Sequence, residues 1–358
     1  MQWSVSPPAD GPSCCGVPHV PDLLTQVAID PSGDVVVVGQ FAANPGDADE
    51  APDCNAGYLV AKYTPDGNLQ WSQATPSDCV YSTALAVDPS SGEIVFALWT
   101  ASPYMHGLAQ QSTIYGAGLT KLSPSGAPVW SQSLFAPEQC IAAPEILPGV
   151  AGGPDTCSNG AVIISGIAIG PAGNILITGG VGGPATPTEL GYPADAEVSA
   201  AKGSLLLGNC ALGVGGLVAM LASDGTTQWV RQFDSSASAA VFDSSGDVVI
   251  SAYLPSSYVN LGGADLSAGT TSGAAFGSSL ASYTVGGAHL WSEGSSCQAG
   301  LCQLNGLQFS GGSFLAAYPS GGFLAAGEVD GIASFGGVTV SDPYTDAGGS
   351  VGYVMRFP

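Results

Sequence analysis

Three histidines, one carboxylate cluster and nine cysteines are the residues whose types could do chemistry here. His19, His106 and His289 stand far apart in the chain. The run Cys14-Cys15-Gly16-Val17-Pro18-His19 lacks the C-x-x-C-H spacing that attaches haem. No G-x-S-x-G elbow supports a serine nucleophile. The histidines therefore read as surface or structural residues. The densest acidic run is Asp47, Asp49, Glu50 and Asp53. Calcium takes several oxygens from one flexible loop, and this loop offers them, without the EF-hand spacing or its glycine. A solvated acidic loop is the alternative. Asp30, Asp88 and Asp243 recur at one turn position, where capping of backbone N–H groups is the expected role.

The cysteines are Cys14, Cys15, Cys54, Cys79, Cys140, Cys157, Cys210, Cys297 and Cys302. None forms a zinc-type C-x-x-C pair, so disulfides in an oxidising compartment are expected. Cys297 with Cys302 and Cys140 with Cys157 would close local loops. Cys14 or Cys15 could be tied to Cys54 or Cys79. The odd count leaves one thiol over.

Charge excludes whole classes of partner. The chain of 358 residues has 28 acidic and 5 basic side chains, a formal charge of −23, yet only 9% of its residues are charged. Soluble domains average roughly 25%. The acidity comes from missing lysine and arginine. Five cations cannot neutralise a nucleic-acid backbone or an anionic membrane surface. With 45% hydrophobic residues, disorder is not expected. No apolar run reaches the 18 residues of a membrane-spanning helix. Met1-Gln2-Trp3 has no basic start followed by an apolar stretch, so the expectation is that any export leader has been removed.

An internal repeat organises the elements that must position these residues. Asp30-Pro-Ser-Gly-Asp-Val-Val-Val-Val-Gly39 is followed by Gly57-Tyr-Leu-Val-Ala-Lys-Tyr-Thr-Pro-Asp-Gly-Asn-Leu-Gln-Trp71. Related copies end at Trp130, Trp229 and Trp291, and a fifth stops at Arg356-Phe357. Its missing segment matches Gln2-Trp3-Ser4, so the N-terminal strand is expected to complete the last unit. Each unit carries four strand-like runs joined by Gly-Asp or Asp-Gly turns. Four-stranded antiparallel units repeated five times predict an all-β, five-bladed β-propeller. The blades fall at about 24–74, 83–133, 165–232, 238–293 and 313–358 plus 1–4. The repeated tryptophans are expected to pack between blades rather than stack on sugars. Lys62, Lys121 and Arg356 share one strand-three slot, and their aliphatic stems are expected to cover blade surface.

These repeats resemble the bacterial SBBP-type β-propeller repeat of secreted, myxobacterial-like proteins. Leu261-Gly-Gly-Ala-Asp-Leu-Ser-Ala-Gly and Phe335-Gly-Gly-Val-Thr-Val-Ser resemble its strand-two-to-three connections. The resemblance covers nearly the whole chain. It implies the fold and an exported location, extracellular, cell-surface or periplasmic. It carries no shared catalytic motif.

Within each unit the one-to-two and three-to-four turns are short. The two-to-three and unit-to-unit connections are long, so variable material is expected to collect at one end of every blade. Loops on a rigid scaffold are the usual place for binding residues. The last residue of strand two differs in every copy: Gln40, Trp99, Gly180, Tyr253 and Glu328. With Tyr104 and His106 nearby, this rim is the candidate ligand site. The functional expectation is a monomeric, exported, non-catalytic module that binds a neutral glycan or a protein surface, with calcium as the one candidate cofactor. A hydrolase or lyase acting at the channel mouth is the alternative, and a self-associating structural protein the second.

Overall fold

The computed structural model describes residues 23–42, 55–78, 80–103, 113–134, 138–141, 156–159, 161–182, 195–200, 203–208, 215–233, 235–254, 258–267, 277–303, 314–318, 321–341 and 351–358. Every element among them is a β-strand, and the architecture is the all-β, five-bladed propeller that the repeat predicts. The first sheet is β1 (Leu23–Ile29), β2 (Val35–Ala42), β3 (Asn55–Tyr63) and β4 (Leu69–Asp78), in that order. The second is β5 (Val80–Val87), β6 (Ile94–Pro103), β7 (Thr113–Leu122) and β8 (Pro128–Leu134). A ribbon of β9 (Glu138–Ile141) and β10 (Thr156–Asn159) follows. The third sheet is β11 (Ala161–Ile169), β12 (Ile175–Gly182), β15 (Gly215–Leu221) and β16 (Thr227–Phe233). Its two-to-three connection carries a second ribbon, β13 (Asp195–Ala200) with β14 (Gly203–Gly208). The fourth sheet is β17 (Ala237–Phe242), β18 (Val248–Leu254), β19 (Gly277–Tyr283) and β20 (His289–Gly294).

The last sheet departs from the pattern. It is built on β23 (Phe323–Phe335), whose first half pairs with β22 (Phe314–Ala317) and β25 (Val351–Phe357). The second half pairs with β21 (Ser296–Gln303) and β24 (Val338–Ser341). The sequence-predicted fourth strand at Trp3 lies outside the described residues. The chain divides into two compact units, Met1–Ile164 with Gly182–Gly213, and Ser165–Val181 with Val214–Pro358.

The central strands explain the unbroken apolar runs. Val36, Val37 and Val38 of β2 are buried on both faces, as are Val248, Val249 and Ile250 of β18. A strand covered on both sides loses the alternation of a half-exposed one.

Each sheet has a turn end, with the short connections, and a loop end. At the turn end of the first sheet, Asp30 Oδ1 accepts the N–H groups of Ser32 (2.8 Å) and Asp34 (2.9 Å). Gly33 closes the turn at φ 83°, a conformation that costs glycine nothing sterically. Asp88 and Asp243 make the same contacts to Ser90, and to Ser245 and Asp247, so the expected capping role holds. Asp30 Oδ2 then faces Lys62 Nζ at 2.7 Å, and Asp34 Oδ2 faces it at 3.2 Å. In the second sheet Lys121 Nζ meets Glu93 Oε2 at 2.6 Å.

These lysines do not lie along the surface as expected. Both are buried, at 5% and 4% exposure, and their ammonium groups tie strand three to the one-to-two turn. In the fourth sheet Ser282 takes the slot beside a turn with two aspartates, and in two others the slot changes with its turn. The third sheet has buried Met220 there, opposite a turn made of Gly170 and Asn174. The fifth has Arg356, whose guanidinium stacks 4.2 Å over the ring of Tyr318, the turn residue equivalent to Asp30.

Burial raises the Asp30 carboxyl, but the Lys62 ammonium and the turn N–H groups outweigh it and hold it below the usual carboxylate value. Burial likewise pulls Lys62 down, and Asp30 and Asp34 more than offset it, so its ammonium is held above the usual lysine value. The Asp30 contribution is therefore present above the unfolded carboxylate value and is lost as pH falls through the folded one. That of Lys62 is present below the unfolded lysine value and is lost as pH rises through the folded one. Lys62→Met leaves two carboxylates without their cation and should cost about 3–5 kcal/mol at neutral pH in urea unfolding. The gap between variant and wild type should narrow below about pH 4, where the unpaired carboxyls protonate.

Candidate functional site

The repeated tryptophan works as a lock between sheets. Trp71 Nε1 donates to the Pro124 carbonyl of the β7–β8 turn at 3.1 Å, and Trp229 Nε1 donates to the Val285 carbonyl of the β19–β20 turn at 2.8 Å. The indole lies on the glycine two residues further along. A Cβ at Gly126 would come within 3.0 Å of Trp71, and one at Gly287 within 2.9 Å of Trp229. Two residues past the tryptophan, Gln73 Nε2 and Arg231 Nε donate to the Gly126 and Gly287 carbonyls. Trp291 instead stacks on Phe323, with ring centroids 6.4 Å apart. These three tryptophans therefore pack against the next sheet, as expected. The donor two residues beyond the tryptophan was missed, although Gln73 and Gln132 share that position in the sequence.

The strand-two rim falls on one rung in every sheet. Gln40 pairs with Tyr58, Trp99 with Ala117, Gly180 with Gly216, Tyr253 with Ser278 and Glu328 with Gly352. The rung lies at the loop end. Of these five, Tyr253 is half-buried, and burial pushes its hydroxyl above the usual tyrosine value. Its backbone is pinned by Ser235 Oγ, which donates to the Tyr253 carbonyl, and by its own N–H donating to Ser236 O at 3.0 Å. Tyr104, His106, His19 and the acidic run Asp47, Asp49, Glu50 and Asp53 lie outside the described residues.

Next to the Tyr253 rung a small pocket opens between the fourth and fifth sheets. Ser251, Ser278 and Tyr353 supply its polar lining, and Leu280, Ala325 and Met355 are among its apolar lining. Its enclosed part has room for about one water. Burial pushes the Tyr353 hydroxyl above its usual value, and the neighbouring Ser278 hydroxyl opposes that shift.

Cys140 and Cys157 stand directly opposite each other in the β9–β10 ribbon, the placement that their expected pairing needs. Cys297 and Cys302 share β21, where the pairing with β23 skips residues between Ala299 and Gln303. Cys14, Cys15, Cys54, Cys79 and Cys210 lie outside the described residues.

Two connections do not stay at the loop end as expected. Residues 258–267 fold back along the fourth sheet, bridged by Val259 and Leu266. Leu261 is buried, and its carbonyl accepts the Tyr283 hydroxyl at 2.6 Å, at the turn end. Gly262 and Gly263 lie against His289. Phe335 returns in the same way over Phe357, ring centroids 5.8 Å apart. Both Gly-Gly motifs thus mark a flap folded back to the end of strand three.

His289 sits under this flap, edge-on to Tyr283, while the Arg231 guanidinium lies 5.4 Å over the Tyr283 ring. Burial, and then Arg231, push the histidine below its usual value, so it is a packed neutral group, in line with the structural reading.

No family model matches the chain, and no curated protein matches it. Among solved structures, the Malassezia sympodialis allergen Mala s 1 is similar at 11% identity and a TM-score of 0.35, over 89% of this chain and 83% of that one. A glucose dehydrogenase is similar at 15% identity and a TM-score of 0.27, over 66% and 82%. Similarity at this level carries nothing about activity.

A Cβ at Gly263 would lie 2.6 Å from His289 Cε1. Gly263→Ala should destabilise the protein by about 1–3 kcal/mol in chemical denaturation. Combining it with His289→Ala should recover part of that loss in a double-mutant cycle.

Proposed function

We propose that this chain is an exported SBBP-type propeller that binds a neutral glycan, or failing that a neutral protein surface, through the loop end of its sheets without catalysing a reaction. One observation carries the reading. Every described cation is used at a turn end. Lys62 and Lys121 are in ion pairs, Arg231 bonds the Gly287 carbonyl and Arg356 stacks on Tyr318. The described carboxylates with lowered values, Asp30 and Asp88, cap turns there too. The strand-two rung at the loop end holds Gln40, Trp99, Gly180, Tyr253 and Glu328, with Ser278 and Tyr353 beside Tyr253. Flat rings with hydrogen-bonding groups around them suit a sugar, which has an apolar face and a hydroxyl rim. Anionic ligands find no described cation at that end.

A hydrolase or lyase would need converging carboxylates or histidines at the site, and the pocket beside Tyr253 is lined by hydroxyls and apolar groups. Glycan-array screening of the purified chain should return neutral oligosaccharides. Tyr253→Ala should weaken the best of them about tenfold or more in calorimetric titration. Undiminished affinity in that variant, or turnover of the glycan, would overturn the reading.

A further inference from the structure

One titratable nitrogen in the fourth sheet is enclosed without a partner. His289 opens β20, and its Nε2 is buried with no hydrogen bond among the described residues. The flap of residues 258–267 covers it. A Cβ on Gly263 would lie 2.6 Å from His289 Cε1 and 3.1 Å from Nε2, and one on Gly262 would lie 3.1 Å from His289 Cβ. The cover is therefore bare backbone, and Gly262 holds φ 109° to bring it in.

The flap is closed on itself and tied to the sheet at one side. Val259 and Leu266 exchange backbone hydrogen bonds of 2.9 and 2.8 Å, and Asn260 Nδ2 donates to Gly263 O and Asp265 Oδ1. The Tyr283 hydroxyl donates to Leu261 O, and buried Val259 and Leu261 join the apolar cluster around Tyr283. The groups that face the imidazole offer nothing to a positive charge. From β19 comes the Tyr283 ring, edge-on, with centroids 5.7 Å apart, and burial keeps its phenol protonated. From β16 comes the Arg231 guanidinium, held over that ring with its Nε–H given to Gly287 O. β20 itself adds the Ser292 hydroxyl beside Gly263. The flap's own carboxylate, Asp265, is exposed and accepts from Asn260 at 2.8 Å. Burial, and then Arg231, hold the histidine below its usual value, and no described carboxylate offsets them.

We propose that residues 258–267 form a pH-sensitive latch, which stays closed over neutral His289 and is released when the imidazole is protonated. An imidazolium carries a donor on both ring nitrogens. Under the closed flap Nε2–H meets glycine backbone without an acceptor, and a guanidinium lies close by. Lifting the flap gives that donor to water, which removes the cost of a buried, unpaired charge. The folded value lies below the unfolded one. Closure is therefore favoured above the ordinary histidine value, and the advantage is lost as pH falls through the folded value. Release uncovers Val259, Leu261 and the Tyr283 hydroxyl, all buried while the latch is closed.

The test is amide hydrogen exchange of the full chain, read at Val259 and Leu266 and corrected for the intrinsic pH dependence of exchange. Protection of these two amides should fall severalfold between about pH 7.5 and about pH 4.5, while the β18–β19 ladder keeps its own. His289→Phe leaves a ring under the flap that takes no proton, so its flap should stay protected over the same range. Nuclear magnetic resonance titration of the His289 ring in the wild type gives a second reading if that variant does not fold. The ring should titrate over the pH interval in which the flap amides lose protection. Flap protection that is constant with pH in the wild type, that falls equally in His289→Phe, or that falls at a pH where the ring does not titrate would overturn the proposal. No glycan enters the measurement, so failure of either reading leaves the other standing.

Discussion

The contact on which the blades depend is an indole laid on a glycine. Trp71 and Trp229 each cover the turn of the next sheet, donate to a carbonyl there, and leave no room for a side chain on Gly126 or Gly287. One residue type thus dictates three others. The turn must be short enough to reach, its glycine must hold a positive φ, and the carbonyl two residues earlier must be free to accept. A donor two residues past the tryptophan, Gln73 or Arg231, fixes the same turn a second time. Trp291 meets Phe323 instead, and there aromatic stacking continues through Phe357. The lock explains why the turn ends are so uniform. Any lengthening there would lift the turn off the indole, whereas the connections at the loop end vary in length and two of them fold back along their sheets.

The same uniformity accounts for the charge. A buried ammonium is tolerated only when anions and carbonyls surround it. Lys62 meets that condition with Asp30, Asp34 and the Pro124 carbonyl. With cations placed where the repeat can satisfy them, the remaining surface keeps its hydroxyls, amides and carboxylates. Self-repulsion at −23 is moderated by spreading few charges over a large polar, glycine-rich chain.

Much of this was legible before any coordinates. The tryptophan period, the Gly-Asp turns and the capping aspartates are local signals, and each maps onto a local contact. What was not legible depends on the path of the chain through space. The Gly-Gly motifs at 262–263 and 336–337 announce positive φ and close approach. Nothing local says that the approach is to His289 or Phe357, at the far end of the sheet. The lysine slot was visible as a repeat, but its stem was read as surface cover because the partner turn lies some thirty residues away in sequence. Register, once known, brings the two together. Of the candidate binding residues, the rung of Gln40, Trp99, Tyr253 and Glu328 could be aligned from the turn alone, because strand length is nearly constant from copy to copy.

Five copies in one chain also act as a comparison of what each position is for. At the cation slot the residue matches its turn in four of the sheets: lysine with carboxylates, methionine with glycine and asparagine, arginine with an aromatic ring, whereas the fourth has Ser282 beside a turn with two aspartates. At the strand-two rung the residue changes from glutamine to tryptophan, glycine, tyrosine and glutamate. The partners across the ladder, Tyr58, Ala117, Gly216, Ser278 and Gly352, show no matching change in charge or polarity. The connections that flank this rung differ in length from sheet to sheet, so the position does not meet one repeated environment. The two slots lie on neighbouring strands, the cation slot on strand three near the turn end and the variable rung on strand two at the loop end.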